Sequence, residues 1–519
     1  MKQIFGIAIL FFTFLFLPIQ AQEKYWVFFT DKQGVSFDPL SYFDARTIEK
    51  RLRNNISLYD TTDFPLNNDY VNKIASFGEI IMKSRWFNGV ITLLDKKEVT
   101  IIQGLSFVKS ITPIEPSTSQ ILMDKTSNHD NDFLQLLKNQ ISVMEGEKFE
   151  EKSFNGKGIR VAIFDAGFPG VDKSPFFQHI RSENRIIKTY DFVKKQENVY
   201  GHSSHGTMVM ACIGGIFEGK KIGLATGAEF LLARTETWTE CFSEEENWLA
   251  AVEWADKNGA DIINSSLGYT YHRYFTTDMN GEESLVVKAA NLAARKGMLV
   301  INANGNDGQK RWKILCTPAD GDSVLSVGGI DPSDLYHINF SSFGPTADFR
   351  MKPNVSAFGK VYTCGKKKMK TAYGTSFATP LVTGFAACAW QAKPGLTNME
   401  LFKEIEKSGN LYPYFDYAHG YGIPQASFFT DSTKKVVQPT FNLIKRNDSL
   451  IISLDKDSNS SRLNRYVYYH IEKENKVLKE YFVIDPVEQN ELVIPLSNIK
   501  SREKIRIHYN GYTILHEIQ

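Results

Sequence analysis

Beyond its N-terminal stretch, this 519-residue chain has no apolar run approaching the roughly 20 residues that cross a bilayer, so no span is expected in the mature protein. It also lacks a net field. Its 60 Lys and Arg face 59 Asp and Glu, for a formal charge of +1, and no bulk electrostatic pull singles out nucleic acid or an anionic membrane as partner. Cysteine is scarce and odd in number: Cys212, Cys241, Cys316, Cys364 and Cys388 exclude a disulfide framework and leave at least one thiol unpaired within a monomer. Cys212 and Cys388 stand in apolar helical stretches, where a small buried side chain is expected. What is present is an ordinary globular composition, 42% hydrophobic, long enough for more than one domain. Function must come from a local site.

The first residues carry an address. Met1-Lys2 precedes an apolar run from Ile4 to Leu17 and then Pro18-Ile19-Gln20-Ala21, the pattern of a signal peptide over residues 1–21 with cleavage after Ala21. That predicts export, to a secreted, periplasmic or cell-surface location.

Four further regions follow by texture. Residues 22–115 read β-α-(α)-β-β-α-β: a strand at Lys24 to Thr30, an amphipathic helix rich in Arg and Glu from Leu40 to Asn54, and a helix near Tyr70 to Phe77. Strands at Glu79 to Lys83 and Gly89 to Leu94, a helix near Lys97 to Leu105 and a strand at Phe107 to Ile111 complete an order close to the split βαβ plan. Residues 116–150 are polar, with one helical stretch near Asp132 to Val143, and read as a linker open to cleavage.

From 151 to 430 short apolar runs alternate with helices. Ile159 to Phe164, Phe230 to Ala233, Asp261 to Ser266, Met298 to Ala303 and Val324 to Gly328 read as buried strands. Ser243 and Glu246 form a capping-box pattern before the Asn247 to Asn258 helix, and Gly297 ends a helix from Glu282 to Lys296. This alternation predicts a parallel sheet covered by helices on both faces. Residues 431–519 have no helical period but several strand-like runs, and predict a small β-sandwich.

Three segments of the α/β region carry chemistry. Val161-Ala-Ile-Phe-Asp165-Ala-Gly167 is an apolar strand ending in a carboxylate; Gly201-His-Ser-Ser-His205-Gly-Thr207 places a histidine at a helix start; Ala372-Tyr-Gly-Thr-Ser376-Phe-Ala-Thr-Pro380 places a serine at another. Singly each has an ordinary reading: a turn aspartate, a His202/His205 metal clip, an N-cap serine. Together they supply what nucleophilic catalysis by a hydroxyl requires, a base to take its proton and a carboxylate to orient that base, in the order Asp, His, Ser.

On these motifs the region from about 156 to 430 resembles a subtilisin-family (subtilase) catalytic domain. The resemblance implies a three-layer α/β/α fold and a serine endopeptidase acting through an acyl-enzyme, with Asp165 as carboxylate, His205 as general base and Ser376 as nucleophile. Ala166 stands where the family usually has Thr or Ser, which removes a hydroxyl but no catalytic group. Val300-Ile-Asn-Ala-Asn-Gly-Asn306-Asp-Gly308 resembles the segment whose asparagine donates to the oxyanion; the Gly-Asn alignment selects Asn306, with Asn302 and Asn304 as alternatives.

Ser266-Leu267-Gly268, with Gly305 in the Asn306 segment, resembles the substrate-lining wall of the first specificity pocket, and the Tyr269 to Gly281 insertion is positioned to modify it. The region before the linker resembles the family's inhibitory prodomain. Expected partners are therefore protein or peptide substrates and the chain's own prodomain. No cofactor is required; structural calcium, common in the family, has no decisive ligand set in this sequence. The rival from another class is a catalytically inactive subtilase fold used for binding or scaffolding.

Overall fold

The computed structural model describes residues 22–114, 126–127, 133–237, 243–271, 273–432, 437–455, 463, 465–475, 477–486 and 489–517. The expected signal peptide, most of residues 115–132, Cys241 and His272 lie outside the described residues. The described residues form two compact units, one drawn from 1–36 with 61–115, the other from 37–60 with 116–519.

In the first unit four antiparallel strands are ordered Ile80–Ser84, Gly89–Leu94, Glu23–Phe29, Val108–Pro113, which is the split βαβ arrangement. Its crossover helices are Asn68–Ala75 and Lys96–Gln103. Val27, Val90, Leu94, Ile74 and Ile102 fill its core. The Arg-rich stretch read as a helix of this unit instead forms two helices, Pro39–Tyr42 and Ala45–Arg53, that fold with the second unit. Asp44 separates them by capping the second through a hydrogen bond from the Arg46 amide.

The second unit is built on a seven-stranded parallel sheet ordered Val355–Phe358, Val324–Ile330, Leu299–Ala303, Ile262–Ser265, Arg160–Asp165, Glu229–Arg234, Ile186–Asp191. Period-2 alternation sends side chains of the central strand to both faces. Val161 and Ile163 join the core with Met208 and Leu381, from helices His205–Gly214 and Thr375–Ala392. Phe164 meets Trp248 of helix Glu244–Lys257 edge-on, with ring centroids 5.4 Å apart. Burial on both faces is why these strands read as unbroken apolar runs.

The expected capping box at Ser243 and Glu246 is not made. Ser243 is already helical and makes no side-chain cap, while Glu244 and Glu245 turn inward to partners of their own. The following helix starts at Leu285, later than expected, because Ser284 caps it by accepting from Val287 N. The four described cysteines are buried and free. At the C-terminus a three-stranded and a four-stranded antiparallel sheet close on one core that includes Phe441, Ile452, Val467, Leu492 and Ile507, so the all-β region is a sandwich.

Candidate active site

Strand order decides where a site can form. From Arg160–Asp165 the chain passes to the Ile186 and Glu229 strands on one side, then crosses to Ile262–Ser265 on the other, so these two neighbours mark a topological switch point. Loops leaving the C-terminal ends of such strands part in opposite directions and open a crevice. Asp165 ends one strand and Ser265-Ser266 ends its neighbour.

Asp165 is fully buried. Its Oδ1 accepts from the Ala166 amide at 2.7 Å, and both carboxylate oxygens lie 2.9 Å from Nδ1 of His205. An ionised carboxylate accepts only, so Nδ1 carries a proton directed at Asp165. The approach depends on Gly206: a Cβ there would stand 2.5 Å from Gly167 O and 2.9 Å from Asp165 Cβ. His202, the other half of the conceivable metal clip, sits apart in a left-handed conformation with its Nε2 3.9 Å from Asp191. Burial and Arg234 hold its imidazole below the ordinary range. Among the described residues no group of three His, Cys, Asp or Glu is placed to hold a metal ion.

Ser376 lies in the first turn of helix Thr375–Ala392, where the unpaired amides give a positive end. Gly374 makes the strand-to-helix corner with φ 146°, a conformation that a side chain would strain. Pro380 inside the helix has no N–H to give the carbonyl four residues earlier, that of Ser376. The hydroxyl of Ser266 donates to that carbonyl instead at 2.9 Å, which ties the Ser376 turn to the end of the Ile262–Ser265 strand. Ser376 Oγ donates to Ser266 O at 3.2 Å, and the ring of Phe377 lies 5.4 Å from that of His205.

The three asparagines of the neighbouring loop separate by their partners. Asn302 Nδ2 donates to Leu267 O and Ala303 O; Asn304 donates to Ser342 O and accepts from Ser326 Oγ. Both fasten backbone. Asn306 Oδ1 accepts from the Thr375 amide and the Thr375 hydroxyl, each at 2.9 Å. A backbone amide can only donate, so the contacting atom is the carbonyl oxygen and Nδ2 is left as a donor beside Ser376.

Ser266, Leu267 and Gly268 continue the Ile262–Ser265 strand, and Tyr269 pairs with Thr317 through both backbone hydrogen bonds. Gly268 and Gly305 share a neighbour whose place the sequence did not indicate, Cys316. Its sulfur would be 2.2 Å from a Cβ on Gly268 and 3.5 Å from one on Gly305. The insertion folds back on the Glu244–Lys257 helix: Arg273 reaches Glu245 at 2.6 Å and the Tyr274 hydroxyl donates to it at 2.7 Å, while Tyr271 and Phe275 stay exposed.

Beside these, Tyr269 donates to buried Glu236 at 3.1 Å. Burial first, then the charge of Glu244, raises the Glu236 carboxyl well above the ordinary carboxylate range, and burial raises Glu244 as well. The sequence signal for this acidic wall was the Glu244-Glu245-Glu246 run, which taken alone resembles a favourable first helical turn.

The subtilase family pattern (peptidase S8) matches residues 156–422, and the S8-peptidase propeptide domain of Bacteroidota matches residues 24–131. Minor extracellular protease Epr of Bacillus subtilis is 27% identical over 301 residues, 58% of this chain, which spans only 42% of Epr. Subtilisin NAT of Bacillus subtilis subsp. natto is 26% identical over 346 residues, 65% of this chain and 80% of that protein. The crystal structure of MycP1 from Mycobacterium smegmatis matches 62% of this chain and 91% of its own at 21% identity, with a TM-score of 0.48. Because the family pattern covers just over half of the sequence, the chain belongs to the subtilase family of serine endopeptidases, and it carries that family's propeptide domain ahead of the catalytic region.

Proposed function

We propose that the chain is an exported zymogen whose catalytic region hydrolyses peptide bonds, with Ser376 as nucleophile, His205 as general base and Asp165 as its orienting carboxylate. The observation that carries this reading is the imidazole of His205, fixed at 2.9 Å by both oxygens of a buried carboxylate in the switch-point crevice that also holds Ser376.

His205 Nε2 takes the Ser376 proton as Oγ adds to the scissile carbonyl, and the imidazolium is stabilised by Asp165. The oxyanion that develops is met by Asn306 Nδ2 and the Ser376 amide. Collapse returns the proton to the leaving amine and leaves an ester on Ser376; water, activated by the same imidazole, releases the acid. Substrate binds as an added strand along Ser266-Leu267-Gly268, with Gly305 on the facing wall, where bare backbone offers hydrogen bonds without side-chain obstruction. Substrates are proteins or peptides. Export rests on the Met1 to Ala21 pattern, and the propeptide match supports inhibition by the N-terminal region until it is cut away.

The deciding test is labelling of the processed protein by a fluorophosphonate, beside Ser376→Ala, with mapping of the modified peptide. A label on Ser376 that disappears in the variant is expected. Absence of label on folded, processed protein would overturn the reading in favour of a binding scaffold.

A further inference from the structure

The segment Phe37–Asp60 lies inside the propeptide match, yet folds with the unit that contains the catalytic region. Its landing place is the N-terminal edge of the parallel sheet. Gly158 and Arg160 open the central strand, Glu229 opens its neighbour, and Asp256 to Asp261 lead into the next one. The Asp165 end of the central strand lies five residues on from Arg160, about 17 Å away.

The contacts there are mostly ionic and mostly buried. The guanidinium of Arg51, 0% exposed, donates to Asp256, 1% exposed, at 2.5 Å, and stacks over the Phe43 ring at 4.2 Å. Lys50 donates to Ala260 O at 2.5 Å, with Asp256 3.9 Å away. Thr47 donates to Asp256 O at 2.6 Å, and Arg46 spans Asp261 at 2.6 Å, Gly158 O at 2.7 Å and Glu229 at 3.4 Å. The Asp44 amide donates to Lys257 O, and the ammonium of Lys257 lies 4.8 Å over the Tyr42 ring. Further along, Asp60 is 3.4 Å from buried Lys296.

Without this segment the notch keeps three carboxylates, Asp256, Asp261 and Glu229, against Arg160, which already binds Glu229 at 2.9 Å and Asn258 O at 2.6 Å. Arg46, Lys50 and Arg51 supply the missing positive charge. Two of the three are placed where water cannot replace the lost partner, and breaking one member of such a buried pair leaves an uncompensated charge. The notch and the segment are therefore complementary in sign and in burial.

We propose that Phe37–Asp60 is a clasp: after the connecting chain is cut, it keeps the propeptide on the catalytic region by seating Arg46, Lys50 and Arg51 in the Asp256/Asp261/Glu229 notch, on the sheet edge opposite the triad. The proposal rests on the zymogen reading. It makes propeptide release a separate event from cleavage, governed by a seat that no substrate in the cleft touches.

The test uses the full chain with Ser376→Ala and a recognition site for an added sequence-specific protease placed within residues 116–125. After cutting, the N-terminal fragment should stay with the rest through gel filtration. Arg51→Ala should speed its dissociation by at least about 30-fold, the lower range for truncating one member of a buried charge pair. Arg46→Ala, which is partly exposed, should speed it by roughly 3- to 10-fold. Arg51→Met combined with Asp256→Leu should recover most of the retention, since no charge is then left unpaired.

If Arg51→Ala does not fold, seen as loss of a cooperative melt before cutting, Arg46→Ala and the paired variant decide. Immediate loss of the fragment from the parent, or single substitutions within twofold of the parent rate, would overturn the clasp. Because the added protease makes the cut, this result is independent of whether unmodified protein takes up a fluorophosphonate, and the two readings fail separately.

Discussion

The two edges of the central sheet use opposite chemistry. In the switch-point crevice at the C-terminal edge the backbone is bare: Gly167, Gly206, Gly305 and Gly374 lie in the aspartate, histidine, asparagine and serine motifs, and the Asp165 carboxylate meets the His205 ring. At the N-terminal edge long charged side chains fill the space, with Arg51 and Lys50 sunk against Asp256. The first edge is held open by hydrogen bonds that lead away from the reacting atoms, such as Ser266 to Ser376 O and Thr375 to Asn306. The second is closed by ion pairs whose value depends on excluding water. A site that must admit a peptide backbone needs the former, and a surface that must retain a partner until it is released suits the latter.

That contrast can be broken by substitution. The largest effect belongs to Ser376→Ala, which should lower turnover by about 10⁴-fold or more while leaving the thermal midpoint nearly unchanged, since one small oxygen is lost. Steady-state rates beside a melt check both halves; a stability loss comparable to the rate loss would refute the division of labour between the edges. Asp256→Ala at the other edge should do the reverse, destabilising the uncut chain by about 3–5 kcal/mol because Arg51 and Lys50 lose their buried partner. Denaturant unfolding measures this. Asn306→Ala should cost about 10²- to 10³-fold in kcat with little change in KM, the range known for removing the oxyanion donor of subtilisin. A loss under threefold would assign the donor elsewhere.

Acid should find a third place, the junction between the catalytic region and the C-terminal sandwich. Burial holds His337 down to about 4, and His508 to about 3, against an ordinary value of 6.5. Below pH 6.5 the unfolded chain binds protons that the folded chain refuses, so stability falls as pH drops from 6.5 toward 4, by roughly 3 kcal/mol from His337 alone. Melting curves from pH 7 to 4.5 should show this, and His508→Gln should flatten the dependence. A profile unchanged by that substitution would remove the histidine from the account. The smallest effect is expected of Ser266→Ala, which leaves the buried Ser376 carbonyl without the donor that stands in for Pro380, at a cost of about 1–3 kcal/mol in stability.

Legibility followed burial. The five strands read from apolar runs are the interior strands of the sheet; the two unread ones, Ile186–Asp191 and Val355–Phe358, are its edges. The first is half-exposed and interrupted by Lys188, and the second is four residues long, so neither makes a continuous signal. The site motifs stood out because glycine and small residues cluster where chains approach closely, as the contacts of Gly206 with Gly167 and Asp165 illustrate. The Gly-Asn alignment selected Asn306 over Asn302 and Asn304, and in the fold the three differ in partner: Leu267 O for Asn302, Ser342 O for Asn304 and Thr375 N for Asn306. Charged positions misled most. Arg46, Lys50 and Arg51 had the appearance of the polar face of an amphipathic helix, and Glu246 that of a cap, yet all but the half-buried Arg46 are buried.

By itself the sequence determined the family, the order of regions and the three catalytic candidates, because each rests on local patterns: an apolar strand ending in Asp165, a helix opening at His205, a corner at Gly374 before Ser376. Only the tertiary structure decided what each asparagine of that loop binds, that Cys316 lies against Gly268 and Gly305, and that an Arg-rich stretch within the propeptide match is seated at the sheet edge opposite Asp165. Those depend on partners apart in sequence, from 11 positions between Gly305 and Cys316 to 205 between Arg51 and Asp256, and no period or spacing records such a partner.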